Sequence, residues 1–386
     1  MKISAVISEF NPMHSGHVRL IDEAKKNGAT HVISIMSGNF VQRGDCAVYS
    51  KWDRAVDAVN NGVDLVIALP CAKCLSSASV FASAGVEIAD KCGCVDELFF
   101  GSECGNIDQL KSIAEIMNNE SFKTAFEEEY SLGSSYPVAR QKALEKIGES
   151  KLANILENPN DILGIEYIRA INELGIAIDP VCFKRIGEQH DSLNEDGEHL
   201  SGALLRKKIF EGRIPPMHTV YCLKNAERAV LYKLREMTAD DLKNIPDVDE
   251  GLENRIRQAV LNCNSIDSIL DSCKTKRYTY SRLRRIILCA LLSVGRSDVY
   301  SAISHIRVLA FNENGREVLR IMRESAKVPV IMKHSDAYKT GDENIVREYE
   351  KEIFSSDVFA LMSNEVGFCS KEQKENAIFL KNIDKR

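Results

Sequence analysis

At 386 residues and 43.1 kDa, with 44% apolar and 27% charged residues and a mean hydropathy of −0.19, the chain is too long for one small domain and too apolar for intrinsic disorder. Fifty Lys/Arg against 56 Asp/Glu give a net charge of −6, which speaks against a uniform nucleic-acid coat while allowing a local basic face. The first ten residues, MKISAVISEF, are too short and polar for a signal peptide, and no run reaches the ~18 apolar residues of a membrane helix. The twelve cysteines therefore read as reduced thiols of a cytoplasmic protein with no membrane partner.

Ile3–Ser8 reads as a buried strand and Val18–Lys26 as the helix after it. His31–Met36 is strand-like, Asp53–Asn61 helical, Val63–Leu69 a strand, Ala78–Asp90 a small-residue helix and Val95–Phe100 another strand. Such alternation implies parallel βαβ units, hence an α/β fold with a Rossmann-like parallel sheet. Helices follow at Ile107–Asn118, Ser121–Glu129, Tyr136–Lys146 and Ile162–Leu174, then a last strand at Val181–Ile186 and a helix at Ser201–Phe210. The tract Gly212-Arg213-Ile214-Pro215-Pro216 breaks helix, so we expect domains at 1–212 and 217–386. The second reads as mainly helical, with helices at Ala226–Met237, Ala239–Lys243, Leu252–Asn262, Ser265–Lys274, Tyr280–Val294, Ser297–Ile306 and Asn314–Arg323. Glu343–Phe354 is charged and helix-like, without an assigned role.

The sharpest signal is Asn11-Pro12-Met13-His14-Ser15-Gly16-His17, between the first strand and first helix. A turn there lies at the carboxyl edge of a parallel sheet, where open α/β folds bind ligands, and the helix start offers free N–H groups to phosphate. Gly16 lets a triphosphate approach the backbone, while His14 and His17 donate hydrogen bonds to phosphate oxygens, stabilising transition-state charge. With 8 histidines and 22 glycines in the chain, His-x-Gly-His arises by chance only about 0.01 times per chain.

These residues resemble the HxGH signature of the nucleotidyltransferase superfamily, whose members attack the α-phosphate of ATP. Further blocks, Met36–Asp45, Asp64–Pro70, Phe99–Glu103, Pro159–Tyr167 and Lys184–Gly187, resemble the tRNA-Met cytidine acetate ligase family over nearly the whole chain. The resemblance implies an ATP site on Ile7, Ser8, Glu9, Phe10, Asn11, Pro12, Met13, His14, Ser15, Gly16, His17, Val18, Arg19 and Leu20, and on Gly101, Asn160, Arg185 and Ile186. Apart from the resemblance, the plainer reading of Asn160 is a helix cap and that of Arg185 a surface ion pair. Met13 stands where the family usually has Phe. Ser201-Gly202-Ala203-Leu204-Leu205-Arg206 is a weakened second phosphate motif, with Ala203 in place of a hydroxyl; Ser201 and Arg206 remain as secondary phosphate candidates.

Ser37, Asn39, Gln42 and Arg43 lie on a loop after the second strand and could face ATP or an incoming base. Trp52, between Lys51 and Asp53, reads as a core anchor. Cys71-x-x-Cys74, Cys92-x-Cys94 and Cys104 are too unevenly spaced for a zinc site, and no metal ligand is expected.

From Lys274 to Lys333 there are 13 Lys/Arg against four acids, Asp298, Glu313, Glu317 and Glu324. Within it Lys274, Lys276, Arg277, Tyr278, Arg282, Arg284 and Arg285, with Tyr280 among them, interleave cations with two aromatic rings, which suits phosphate contact and stacking on unpaired bases. Only four acids within the segment are available to pair with these cations, so RNA binding is favoured over a salt-bridged face.

The combined expectation is an ATP-dependent acetate ligase with His14 and His17 as catalytic residues and the mainly helical second domain, 217–386, as a basic tRNA-binding domain. The resemblance implies acetyl-adenylate formation and acetyl transfer to the wobble cytidine of elongator tRNA-Met, with Mg²⁺ accompanying ATP. An adenylyltransferase making a small coenzyme, or a non-catalytic RNA-binding protein, stays open as an alternative. Oligomeric state and the acetate-site residues are not encoded in any of these motifs.

Overall fold

Apolar runs buried on both faces build the centre of the molecule. The computed structural model describes residues 1–185 and 201–381. Its strands are β1 (Ile3–Ser8), β2 (His31–Ser37), the short β3 (Phe40–Val41) and β4 (Asp45–Cys46), β5 (Leu65–Leu69), β6 (Glu97–Ser102), β7 (Asp179–Lys184), β8 (Ile306–Phe311), β9 (Val330–Ile331) and β10 (Ile378–Phe379). Ala5, Val6, Ile33, Ile35, Leu65 and Ile67 are fully buried, as expected of central parallel strands covered on both sides.

The sheet runs β10-β8-β5-β2-β1-β6-β7, with β9 on β8 and β3-β4 forming a separate hairpin. From β5 through β7 every pairing is parallel. The chain winds outward from β1 to β2 to β5, then returns to β6 and β7 on the other side of β1. The strand order thus reverses between β1 and β6, and their carboxyl ends flank the crevice where an open α/β sheet binds its ligand. Helices Ala78–Lys91 and Pro159–Leu174 cover one face, and Ser15–Lys26 and Lys51–Asn60 the other. Serine side chains start two of them: Ser50 accepts Asp53 N–H at 3.3 Å and Ser77 accepts Val80 N–H at 3.5 Å, an ordinary N-cap use. Gly85 has no room for a side chain, since a Cβ there would come 2.5 Å from Ile7 Cδ1.

Two expectations need correction. The Ser297–Ile306 region is helical only over Arg296–Tyr300, and the following IRVLAF run is strand β8, antiparallel to β5. The segment beyond residue 217 thus contributes strands besides its helices: β8, β9 and β10 extend the first half's own sheet. Asp64, 1% exposed, fastens this return. Its carboxylate accepts Val32 N–H at 2.8 Å and the Asn312 and Asn314 amides at 3.1 and 3.2 Å.

The break at 212–217 does not separate two cores either. Helices Glu227–Glu236, Leu252–Asn262, Ile266–Cys273 and Tyr280–Leu291 bury Val230, Ile256, Ile269 and Ile287 together with Phe40, Cys46, Cys71 and Leu75 from the first half. Apolar packing is continuous across the expected boundary, so the two halves hold each other in register. Among the described residues no helix is long and apolar enough to cross a membrane.

Candidate nucleotide-binding site

A cavity of about 440 Å³ opens at the carboxyl ends of β1, β6 and β7, where the strand order reverses. Of the expected stretch, Ile7, Ser8, Glu9, Phe10, Asn11, His14, His17 and Leu20 line it; Gly101, Asn160, Arg185 and Arg206 join from other elements. Pro12, Met13, Ser15, Gly16, Val18 and Arg19 do not line it. Met13 packs into the core, while Ser15, Val18 and Arg19 face a shallow surface on another side of their helix. Ile186 lies outside the described residues.

His14 is the N-cap of Ser15–Lys26, and its Nδ1 accepts Gly16 N–H at 3.1 Å. An accepting Nδ1 places the ring proton on Nε2, which makes His14 a donor from that nitrogen. His17 stacks on it with ring centroids 3.7 Å apart, and buried Phe10, held at φ 44°, meets His17 edge-on at 5.0 Å. The reason for Gly16 differs from the expected one: a Cβ there would stand 3.0 Å from His14 Cε1, so the glycine makes room for the capping ring. A second helix start faces the same space. Ser201 caps Gly202–Phe210 by accepting Leu204 N–H at 3.1 Å, Gly202 lines the cavity, and Arg206 donates to the Asn11 carbonyl. Two helix N-termini, with cations beside them, thus turn their free N–H groups and positive dipole ends toward the same cavity.

Glu9 is the acidic exception. Its carboxylate accepts Gln42 N–H at 2.8 Å, and burial pushes its pKa up against the opposing pull of that hydrogen bond and of Arg206, Arg43 and Arg54. Arg54, fully buried, donates to the carbonyls of Tyr49, Glu9, Ser37 and Gly38. Burial lowers its pKa to about 10, so it stays a cation and ties the end of β1 to the end of β2. Of the loop residues expected to face a ligand, Gln42 and Arg43 line the cavity. Ser37 and Asn39 are buried, and Asn39 accepts Lys51 N–H at 2.9 Å and donates to Ser356 at 3.0 Å.

Across the cavity Asn160 is positioned by Glu103, whose carboxylate accepts its amide at 2.6 Å and Asp161 N–H at 3.0 Å. Asn158, not Asn160, is the N-cap. Burial lowers the Arg185 pKa and Glu103 opposes the shift. Gly101 makes room for Arg185: a Cβ there would lie 3.0 Å from Arg185 Cγ. Sequence reasoning passed over Glu103, although it closes the same Phe99–Glu103 block as Gly101. It also passed over Phe81, Tyr167 and Leu163, apolar wall residues whose helical spacing looks like ordinary core.

The family model described as HIGH Nucleotidyl Transferase matches residues 1–376. The tRNA(Met) cytidine acetate ligase of Acetivibrio thermocellus is 33% identical over 98% of this chain and all of its own length. That of Caldanaerobacter subterraneus subsp. tengcongensis is 36% identical over 94% of this chain and 95% of its own. This chain belongs to the tRNA(Met) cytidine acetate ligase family. Crystal structures of Thermotoga maritima TmcAL, apo and bound with alpha-thio ATP, superpose with TM-scores of 0.88 and 0.87 at 30% identity, each covering 99% of this chain and all of the other. The ligase family assignment and the α/β nucleotidyltransferase fold agree with the motifs read above.

The expected RNA-facing residues are dispersed. Lys276 and Arg284 are exposed, Lys274, Arg277 and Arg282 half-buried, and Tyr278 and Arg285 buried. Tyr278 is thus no open platform for a base; it sits under Arg282, 5.1 Å away. The shortage of acids expected from the segment alone does not hold in three dimensions. Asp247, Asp249 and Glu250, from a loop outside it, pair with Arg285, Arg282 and Arg296, and Arg277.

Proposed function

We propose that the chain activates acetate with ATP and passes the acetyl group to the wobble cytidine of elongator tRNA-Met. One observation carries this reading. The basic C-terminal segment closes the nucleotide cavity, since Ser281 of helix Tyr280–Leu291 lines it beside Gln42 and Arg43. Gly44 (φ 79°) packs so tightly on that helix that a Cβ would reach 2.7 Å from Arg285 N. A site that only made a small coenzyme would have no use for an arginine-rich helix built into its wall. Relatives carrying the name tRNA(Met) cytidine acetate ligase, and the ATP-analogue complex of one of them, support the same reading.

An acetate oxygen attacks the α-phosphorus, the bond to the bridging oxygen breaks, and pyrophosphate leaves with that electron pair. His14 through Nε2, His17, Arg206 and Arg185 surround the place where charge develops, so positioning and electrostatic stabilisation carry the step without a protein nucleophile. Mg²⁺ would travel on the phosphates and supply further charge neutralisation. Among the described residues lining the cavity the one carboxylate is Glu9, already held by Gln42 N–H, so the protein groups fit phosphate better than a hard cation. The product is N4-acetylcytidine, AMP and pyrophosphate.

Incubation with ATP, labelled acetate and tRNA-Met, followed by digestion to nucleosides, tests the reading. Label in cytidine is expected; an adenylylated small molecule without labelled RNA, or RNA binding without turnover, would overturn it.

A further inference from the structure

A second cavity, about 410 Å³, adjoins the first. Among the described residues Gln42, Ala78, Pro137 and Ile162 line both, so one space passes into the other across that rim. Both volumes fall in the range of small-ligand sites. The chemistry of the second cavity differs from the first. No histidine lines it; instead it has Tyr130 and Tyr136 with Arg140, Arg277, Arg282 and Arg285.

Several of these groups are already held in place. Arg277 lies over Tyr130 at 4.5 Å and pairs with Glu250, Arg140 lies over Tyr136 at 5.4 Å and pairs with Glu166 at 2.7 Å, and Arg282 donates to the Asp247 carbonyl at 2.7 Å. Arg285 is nine-tenths buried, donates to Asp247 at 3.3 Å, and still has a buried Nε without a hydrogen-bond partner; Arg277 Nε is in the same state. Buried donors without partners are uncommon and call for an acceptor.

We infer that this cavity takes the acetyl-accepting nucleotide, an unpaired cytidine swung out of an RNA loop. The inference rests on the ligase reading above. Cytosine fits what the walls offer. Its O2 and N3 accept hydrogen bonds, which the guanidinium groups can donate, and its face stacks on Tyr130 or Tyr136 as unpaired bases do on aromatic rings. Its N4 amine, the one edge that must reach the adenylate, then points over the Gln42 rim into the first cavity. There N4 attacks the acetyl carbonyl carbon, the C–N bond forms, and the acyl C–O bond to phosphate breaks with its electron pair leaving on AMP, while one N4 proton passes to solvent.

Ser135 lines the second cavity but not the first, and its side chain makes no cap hydrogen bond. Ser135→Trp therefore fills the space without removing a cap hydrogen bond. Acetate-dependent ATP–pyrophosphate exchange should stay within about twofold of wild type, which also reports an intact fold, while acetyl transfer to an anticodon stem-loop bearing one unpaired cytidine should fall about 10- to 100-fold, the worth of a lost stacked base. Ser135→Ala should leave both reactions unchanged. Transfer by Ser135→Trp at the wild-type rate, or equal losses in both reactions, overturns the inference. If cytidine 5′-monophosphate accepts acetyl as fast as the stem-loop, the occupant is a free nucleotide and the RNA assignment falls. Wild-type protein that shows neither exchange nor acetylation would instead remove the ligase reading itself.

Discussion

His14 has two separable roles, and two substitutions divide them. Through Nδ1 it caps Ser15–Lys26 by accepting Gly16 N–H at 3.1 Å; in the proposed reaction its Nε2 would donate to the phosphates of ATP. His14→Ala removes both. His14→Asn keeps an oxygen at the cap, where Asn is among the preferred residues, and removes the Nε2 donor. The cap is worth about 1 kcal/mol of stability, whereas one preorganised donor to developing charge is worth about 10²–10³ in rate, or ~3–4 kcal/mol. Acetate-dependent ATP–pyrophosphate exchange should therefore fall about 10²- to 10³-fold in both variants, while urea unfolding should be weakened by about 1 kcal/mol in His14→Ala alone. Wild-type exchange in His14→Asn would refute the argument, because the ring would then serve only as a cap.

Gly101→Ala places a Cβ 3.0 Å from Arg185 Cγ and 3.2 Å from Phe183 Cε1; shifting that guanidinium should raise the KM for ATP about tenfold, equal to ~1.4 kcal/mol of a charged hydrogen bond, and an unchanged KM would remove Arg185 from the phosphate site. Arg54→Met strands four backbone carbonyls at about 1–3 kcal/mol each, a sum comparable to a whole fold's stability, so soluble yield and cooperative melting should be lost; a melting temperature within 2 °C of wild type, roughly below 1 kcal/mol, would contradict this. Burial, aided by nearby Arg307, depresses the His305 pKa from 6.5 to about 4. A depressed value means that the folded state favours neutral imidazole, so this contribution is complete above about pH 6.5 and falls as the pH drops toward 4, by about 2 kcal/mol at pH 5. Urea midpoints of wild type and His305→Asn should therefore diverge between pH 7.5 and pH 5, and parallel profiles would exclude the effect.

The parts of the site that sequence revealed are those where chemistry and chain position coincide. His14, Gly16 and His17 follow the first strand directly, so strand, turn and helix dipole are all written within fifteen residues. Glu103 and Arg54 act across 57 and 45 residues, on Asn160 and Glu9 respectively, and no local pattern marks a carboxylate that orients a distant amide or a cation that gathers carbonyls. The missed strand β8 has a similar cause. Its Arg307 interrupts an apolar run and reads as a surface residue, yet it is 4% exposed and donates to Glu372 at 3.0 Å. Once that partner folds against it, the charge no longer argues against a buried strand.

Local charge needs the same correction. Counted along the chain, residues 274–333 hold nine more cations than acids. In space, Arg277, Arg282, Arg285 and Arg296 face Asp247, Asp249 and Glu250, Arg307 faces Glu372 and Lys327 faces Asp90. Acids contributed from elsewhere thus absorb much of the excess, and the segment is not a bare phosphate-binding surface. Those acids hold Arg277, Arg282 and Arg285 in one place along the second cavity, with donors left for a ligand, while Lys276 and Arg284 stay at the surface. A positive stretch organised this way suits reading one extruded nucleotide better than coating a duplex, because the ordering of its long side chains is already met before RNA arrives.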